Sequence, residues 1–279
     1  MPAVLTVVLA QLSPRLRQTK ANIETIRRVV AEHPGADLVV FPELFLSGYT
    51  LSDIDELAVH LDDPELKQVA DIAQESSTAL IFGAPERVSG GVANSAFCID
   101  EQGTIAAVYR KAQLYGGEES DAFVASDELL VVELCGLKMG IMICFDVEFP
   151  EVARSLAQAG AELLVTISAN MEPFGNDHAV FVSARALENG LPHIYVNQVG
   201  PVEKLTFVGG SAIVSPDGEI YAQAGSSEEE ILSVRLLPAK SNLRENYLSQ
   251  LRSPMPSVKM VPSDARAQPV STKASRRQG

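Results

Sequence analysis

The sequence contains no tryptophan, only three cysteines and only four histidines among 279 residues. Without Trp, a core has to be built from Val, Leu, Ile, Ala and Phe. Cys98, Cys135 and Cys144 show no CxxC spacing. That excludes a disulfide framework and fits a reducing, cytoplasmic setting. His33, His60, His178 and His193 lack metal-ligand spacing, so no metal is expected. Basic residues are outnumbered, 22 against 36 acidic ones, for a formal net charge of -14. Phosphate contacts need clustered Lys and Arg, so a nucleic-acid-binding body is not expected. No apolar run approaches the roughly 18 residues of a membrane-span candidate. The opening MPAVLTVVLAQ has no basic residue ahead of its apolar stretch. It reads as a first strand rather than a secretory signal. The glycine pairs at 116–117 and 209–210 belong to no Walker or GxGxxG pattern. They read as turns, and no nucleotide or other cofactor is expected.

Hydrophobic residues make up 46% of the chain, enough for a sizeable core and against wholesale disorder. Apolar strand-like runs alternate with helical stripes. VLTVVLA (4–10), ADLVVFPE (36–43) and ALIFGAPE (79–86) read as strands. Residues 14–33 and 64–76 carry apolar residues at helical spacing, with Pro64 suited to a first turn. NSAFCID, EQGTIAAVYRK and ELLVVEL then suggest strands joined by short turns. Alternation resumes with LKMGIMIC (137–144), a helix over 148–159, AELLVTISA (161–169), a helix over 176–189 and LPHIYVNQ (191–198). GGSAIVSPDGEIYAQAG looks like a hairpin turning at Pro-Asp-Gly, and ILSVRL is a last strand. Near-continuous apolar strands imply sheets buried on both faces. The strands are too many for one short open sheet, so an α/β fold of two packed sheets with outer helices is expected. From about Ser253 onward Pro, Ser, Lys and Arg dominate. Residues 1–252 read as a single domain, and 253–279 as a tail that is flexible or ordered against a partner.

Three polar residues share one placement. Glu43 ends LVVFPE, Lys111 ends AAVYRK and Cys144 ends MGIMIC. Each sits at or just past the carboxyl end of an apolar strand, the edge at which α/β sheets bind ligands. A thiol is a weak nucleophile at its ordinary pKa; a nearby ammonium stabilises the thiolate and a carboxylate accepts the proton. Taken singly, each has a plainer reading. A cysteine ending an apolar strand is usually a small buried hydrophobe, and Cys98 and Cys135 read that way. Glu43 alone suits a helix cap or a surface ion pair, and Lys111 beside Arg110 a solvated basic pair.

The motifs around these residues are more specific. FPELFLSGY, YRKAQLYGGEE and GIMICFDVEFPE, in that order, resemble the nitrilase or carbon–nitrogen hydrolase superfamily. GAELLVTISANM, ARALENGLPHIYVNQVG and FVGGSAIVSPDGEI agree with it, so the resemblance runs from about Val4 to Leu237. It implies a four-layer αββα sandwich, usually paired as a homodimer, with the tail crossing the partner in relatives. It also implies that Glu43 is the general base, Lys111 the oxyanion-stabilising cation and Cys144 the nucleophile. Glu119, preferred over Glu118, would orient Lys111 and the amide. The backbone N–H of Phe145 would be a second oxyanion donor. Tyr49, Tyr115, Asn170, Met171 and Glu172 are candidates for the substrate pocket. A Cys–His enzyme using His178 or His193 is the weaker reading.

Nitrilases of this superfamily commonly carry Trp-Glu-Asn after the cysteine; here Phe145-Asp146-Val147-Glu148 follows. That resembles the amidase branches, which convert a small-molecule primary carboxamide to acid and ammonia through a thioester. N-carbamoyl amine hydrolysis, nitrile hydrolysis and a catalytically silent binding partner are the alternatives. Gln113 stands where the family often has histidine, and Ala125-Ser126 where it often has Pro-Gly. These departures bear on substrate preference rather than on the chemistry. Asp146 and Arg154 are expected to pair with each other or to position the following helix.

Overall fold

The first strand, β1 (Leu5–Gln11), shows why two sheets are needed. Side chains alternate along a strand, and here both faces are apolar. Val7 and Leu9 point into one buried cluster, Val8 and Ala10 into another. In the computed structural model, which describes residues 4–238, 247–252 and 257, a second sheet covers one face and helices cover the other.

The chain continues through α1 (Thr19–Glu32), β2 (Leu38–Val40), α2 (Ile54–Leu57), α3 (Pro64–Ser76), β3 (Ala79–Val88), β4 (Gly91–Ile99) and β5 (Ile105–Arg110). Then come α4 (Gly116–Ala122), β6 (Leu130–Leu134), β7 (Leu137–Ile143), a 3-10 turn (Cys144–Glu148), α5 (Pro150–Gln158), β8 (Leu163–Ser168) and α6 (Gly175–Asn189). The remaining elements are β9 (His193–Asn197), β10 (Val199–Val202), β11 (Leu205–Val208), β12 (Ala212–Val214), β13 (Ile220–Gln223), β14 (Glu230–Leu236) and α7 (Tyr247–Gln250).

One sheet runs β14-β1-β2-β3-β4-β5 and the other β13-β12-β9-β8-β7-β6. Each has three parallel neighbours at its centre, β1-β2-β3 and β7-β8-β9. Parallel neighbours need crossover helices, which the strand–helix alternation supplies. Antiparallel hairpins extend both sheets outward. Leu9, Val40 and Ile81 meet Ile141, Ile143, Val165 and Ile194 between the sheets. Ile23, Ile26 and Val29 of α1 pack with Val69 and Ile72 of α3 on the outer face of the first sheet. Val152 and Leu156 of α5 and Val182 and Ala186 of α6 cover the second. The order of layers is therefore αββα, the arrangement expected from the sequence. Each fully buried aliphatic side chain contributes about 1.5–3 kcal/mol, so the layers hold by their apolar faces.

Three details differ from the sequence reading. The strand expected over 36–43 stops at Val40. The backbone then turns, with Leu44 at a φ of 48°, and carries Glu43 off the sheet. The helix expected from 148 starts at Pro150, behind the 3-10 turn, because Pro at a first helical position lacks only an N–H that would go unbonded anyway. The hairpin β10–β11 was not anticipated, because Gly200 and Pro201 break the apolar pattern of VGPV. The tail expected over 253–279 lies outside the described residues, except Ser257.

Candidate active site

Glu43, Lys111 and Cys144 leave three different strands of two sheets and meet at one edge. Glu43 follows β2, Lys111 follows β5 and Cys144 follows β7. Their loops are held tightly. Gln198 donates to the Glu43 carbonyl at 2.7 Å, across from the second sheet. The Lys111 N–H donates to Asn94 O at 2.8 Å, and its carbonyl accepts from Ser126 N–H at 3.1 Å. Cys144 has a φ of 46°. A left-handed conformation at a non-glycine residue costs about 1–3 kcal/mol and persists only where its surroundings enforce it. Here it turns the chain sharply at the end of β7.

Lys111 is buried, not the solvated partner of Arg110. Arg110 instead forms a two-point pair with Glu86. The Lys111 Nζ lies 2.8 Å from Glu43 Oε1 and 3.0 and 2.9 Å from the two oxygens of Glu119. Burial pulls this ammonium down, but Glu43, Cys144 and Glu119 together outweigh it and hold Lys111 well above the ordinary lysine value. Glu119 lies on α4 and also accepts from Tyr49 Oη at 2.8 Å and Tyr115 N–H at 2.7 Å. Glu43 Oε1 also accepts from Asn94 Nδ2 at 2.7 Å. Glu43 Oε2 is buried and has no hydrogen-bond partner. One oxygen is thus anchored and the other is an open acceptor.

Burial pushes the Cys144 thiol well above its ordinary value, and Glu43 adds to this, while Lys111 and a hydrogen bond from Ser168 pull it back. The group therefore rests as a thiol and needs a base to react. Cys144 opens on a small cavity of ≈ 20 Å³ shared with Tyr49, Tyr115, Phe145, Asn170 and Met171. That is room for about one water-sized group. Glu172 does not line it; it lines a separate cavity of ≈ 340 Å³ behind α6. A third cavity, ≈ 570 Å³, shares Tyr49, Tyr115, Glu119 and Met171 with the small one and is bordered by Leu51, Glu203 and Lys204.

Asp146 and Arg154 do not pair. Asp146 is fully buried and accepts from Ile143 N–H at 2.9 Å, Tyr109 Oη at 2.8 Å and Gln113 N–H at 2.8 Å. Arg154 donates to the Glu188 carbonyl. One carboxylate thus ties the Cys144 turn to the loop after Lys111. Burial lifts Asp146 to about 6 despite those three bonds.

His193 bonds Thr166 and the Val182 carbonyl, and burial lowers it to about 4. It does not line the Cys144 cavity, whereas His178 does. Asn94, Gln198 and Ser168 went unnoticed in the sequence. For Gln198 and Ser168 the signal is a polar residue at the end of an otherwise apolar strand, in HIYVNQ and LLVTIS, whereas Asn94 lies inside β4, in GVANSAFCI. Such residues are buried only when bonded.

A sequence model of the carbon–nitrogen hydrolase family matches residues 6–241. An (R)-stereoselective amidase from a Pseudomonas species is 34% identical over 251 residues, 88% of this chain and 91% of that protein. A probable nitrilase from Schizosaccharomyces pombe is 33% identical, covering 90% of this chain and 95% of that protein. A glutamate-to-glutamine mutant of the amidase from Nesterenkonia sp. AN1 superposes with a TM-score of 0.80 at 31% identity, over 89% of this chain and 94% of that one; it shows covalent addition of the acetamide moiety of fluoroacetamide at its active-site cysteine. A variant of the same amidase is in complex with butyramide, with a TM-score of 0.79, 30% identity and the same coverage of 89% and 94%.

Proposed function

The chain belongs to the carbon–nitrogen hydrolase family, and we propose that it hydrolyses small primary carboxamides to acid and ammonia through a thioester on Cys144. The observation that carries this reading is the open oxygen of Glu43, buried in a cluster clamped by Lys111 and acting on the Cys144 thiol. Glu43 Oε2 takes the thiol proton as sulfur attacks the amide carbon. Lys111 and the Phe145 N–H stabilise the oxyanion. Glu43 passes the proton to the departing ammonia, and the thioester remains. Glu43 then activates water, which releases the acid and returns the thiol. Glu119 holds Lys111 from the far side and keeps its charge in place.

The small cavity at Cys144 takes the amide head, and the ≈ 570 Å³ cavity beside it takes the acyl chain between Tyr49, Tyr115 and Met171. The butyramide complex of the Nesterenkonia amidase supports a short aliphatic amide as a first substrate. We further propose one domain over 1–252, a homodimer and a cytoplasmic location. Among the described residues no helix is long and apolar enough to cross a membrane.

The test is ammonia release from a panel of primary amides, N-carbamoyl amines and nitriles, with Cys144→Ala and Glu43→Gln alongside. Release from amides that disappears in both variants supports the reading. Release mainly from nitriles or carbamoyl compounds overturns the amidase assignment. Full activity in Cys144→Ala overturns the mechanism.

A further inference from the structure

Five buried side-chain polar atoms find no hydrogen-bond partner among the described residues, and three of them lie in one knot around Glu43. They are Glu43 Oε2, Asn94 Oδ1 and Gln198 Oε1. Asn94 lies in β4 of the first sheet, and Gln198 lies just past β9 of the second. Both side chains are fully buried. Asn94 Nδ2 donates to Glu43 Oε1 at 2.7 Å, and Gln198 Nε2 donates to the Glu43 carbonyl at 2.7 Å. Two primary amides, one from each sheet, therefore give their NH2 groups to the same residue. Each leaves its own carbonyl oxygen orphaned. Both orientations are forced, since a carbonyl and a carboxylate oxygen accept hydrogen bonds and do not donate them.

An orphaned buried carbonyl costs about five- to a hundredfold in the folding equilibrium. An apolar side chain of the same shape would avoid that cost, so stability does not explain two such amides. Position does. β2 stops at Val40, so Glu43 lies beyond the strand ladder. Lys111 reaches Glu43 Oε1 at 2.8 Å, but an ammonium on a flexible stem supplies charge rather than direction. The two amides hold opposite ends of Glu43, the carboxylate and the main chain. Their own backbones are fixed in turn. Asn94 O accepts from Lys111 N–H at 2.8 Å. Gln198 N–H donates to Ser168 O at 3.1 Å, and Gln198 O accepts from Gly209 N–H at 2.9 Å. With both ends of Glu43 held, Oε2 has one direction left.

We propose that Asn94 and Gln198 are positioning residues that aim the free oxygen of Glu43 at the Cys144 thiol, and that the fold gives up stability for this aim. The inference rests on Glu43 being the base of the cycle above. Neither amide lines the Cys144 cavity, so both act through Glu43. A general base works only within hydrogen-bond reach of the proton it takes. A carboxylate released at Oε1 can tilt away from that line, which slows the proton transfer and leaves substrate binding alone.

The test uses Asn94→Leu and Gln198→Met, which remove the donor and the orphaned oxygen together at similar shape. Ammonia release, urea unfolding and alkylation of Cys144 by iodoacetamide are measured on the full chain, with Glu43→Gln as the reference for a lost base. A hydrogen bond to a charged group is worth about tenfold or more, and one to a neutral carbonyl about threefold. Asn94→Leu should therefore lose about tenfold or more in kcat and Gln198→Met about threefold, each with KM within about twofold of wild type. Urea midpoints should match the wild type or exceed it. Alkylation needs the thiol proton removed but no turnover. At pH 7 Asn94→Leu should alkylate about tenfold more slowly than wild type. At pH 10 hydroxide replaces the base, and the gap should close to within about threefold. A merely structural role would not close it. If the amides release no ammonia but this pH-dependent gap appears, the substrate reading falls and the aiming of Glu43 stands. If Glu43→Gln alkylates slowly while both amide variants match the wild type, the proposal is overturned and the base stands. Urea midpoints that fall in step with the rates also overturn it, because the amides would then be holding the sheets together.

Discussion

Gly83→Ala is the sharpest perturbation of the site that does not touch a reacting group. Gly83 lies in β3 directly beneath the Glu43 turn. Its N–H donates to Pro42 O at 3.1 Å, and its carbonyl accepts from Leu46 N–H at 3.1 Å. A Cβ at this position would stand 2.1 Å from Leu44 N, 2.6 Å from Glu43 C and 2.7 Å from Glu43 Cα. All three are backbone atoms, so no side chain can swing away. Ordinary contact begins at 3.4 Å, so the tightest contact has to open by about 1.3 Å, the difference between 3.4 and 2.1 Å. Overpacking of this kind costs about 1–3 kcal/mol of stability. A displacement of about 1 Å at a catalytic group costs about a hundredfold in rate. The variant should remain folded, melt several degrees lower and lose about a hundredfold in kcat/KM for ammonia release. Its Cys144 should still alkylate, because β7 is untouched. A Gly83→Ala protein within threefold of wild-type kcat/KM would refute the claim that this close approach sets the position of Glu43.

Lys111→Met leaves the Glu43 and Glu119 carboxylates buried without their cation. It should lose about 3–5 kcal/mol in urea unfolding and at least a hundredfold in turnover. Glu119→Gln keeps the size of the side chain but sets an NH2 against Lys111 Nζ or Tyr115 N–H. Turnover should fall about tenfold or more while KM for small amides changes less, checked by steady-state kinetics. Asp146 is raised to about 6 from the ordinary value of 3.8. The folded protein therefore binds the extra proton between those values, so Asp146 adds stability as pH falls from above 6 to below 4, by about 3 kcal/mol. The same protonation weakens the tie between the Cys144 turn and the Lys111 loop, so activity should decline below about pH 6 even as this contribution to stability grows. Asp146→Asn should remove that part of the pH dependence of unfolding. It should also lower activity at every pH, because its amide NH2 has to face the N–H donor of either Ile143 or Gln113.

The sequence alone determined the layers and put Glu43, Lys111 and Cys144 at or just past the ends of apolar strands. Apolar alternation in LTVVLAQ and LKMGIMI requires cover on both faces, and the helical stripes between them show where the crossovers lie. The side-chain types of Glu43, Lys111, Glu119 and Cys144 carry their chemistry wherever the chain is read, and the motifs around them place the family. Distance was not legible. Glu43 and Lys111 are 68 positions apart, yet their side chains meet at 2.8 Å, because β2 and β5 belong to one sheet and the loops after them meet at its edge. Asp146 looked like a partner for Arg154, eight residues on, since local sequence offers only near neighbours. Burial instead gave it three donors, from the last residue of β7, from β5 and from the loop after Lys111. The hydrogen bonds of the Tyr195 hydroxyl with Ser168 and His178 are likewise a product of packing. Ser168, Tyr195 and His178 come from β8, β9 and α6, and each reads as an ordinary strand or helix residue until the layers close around it.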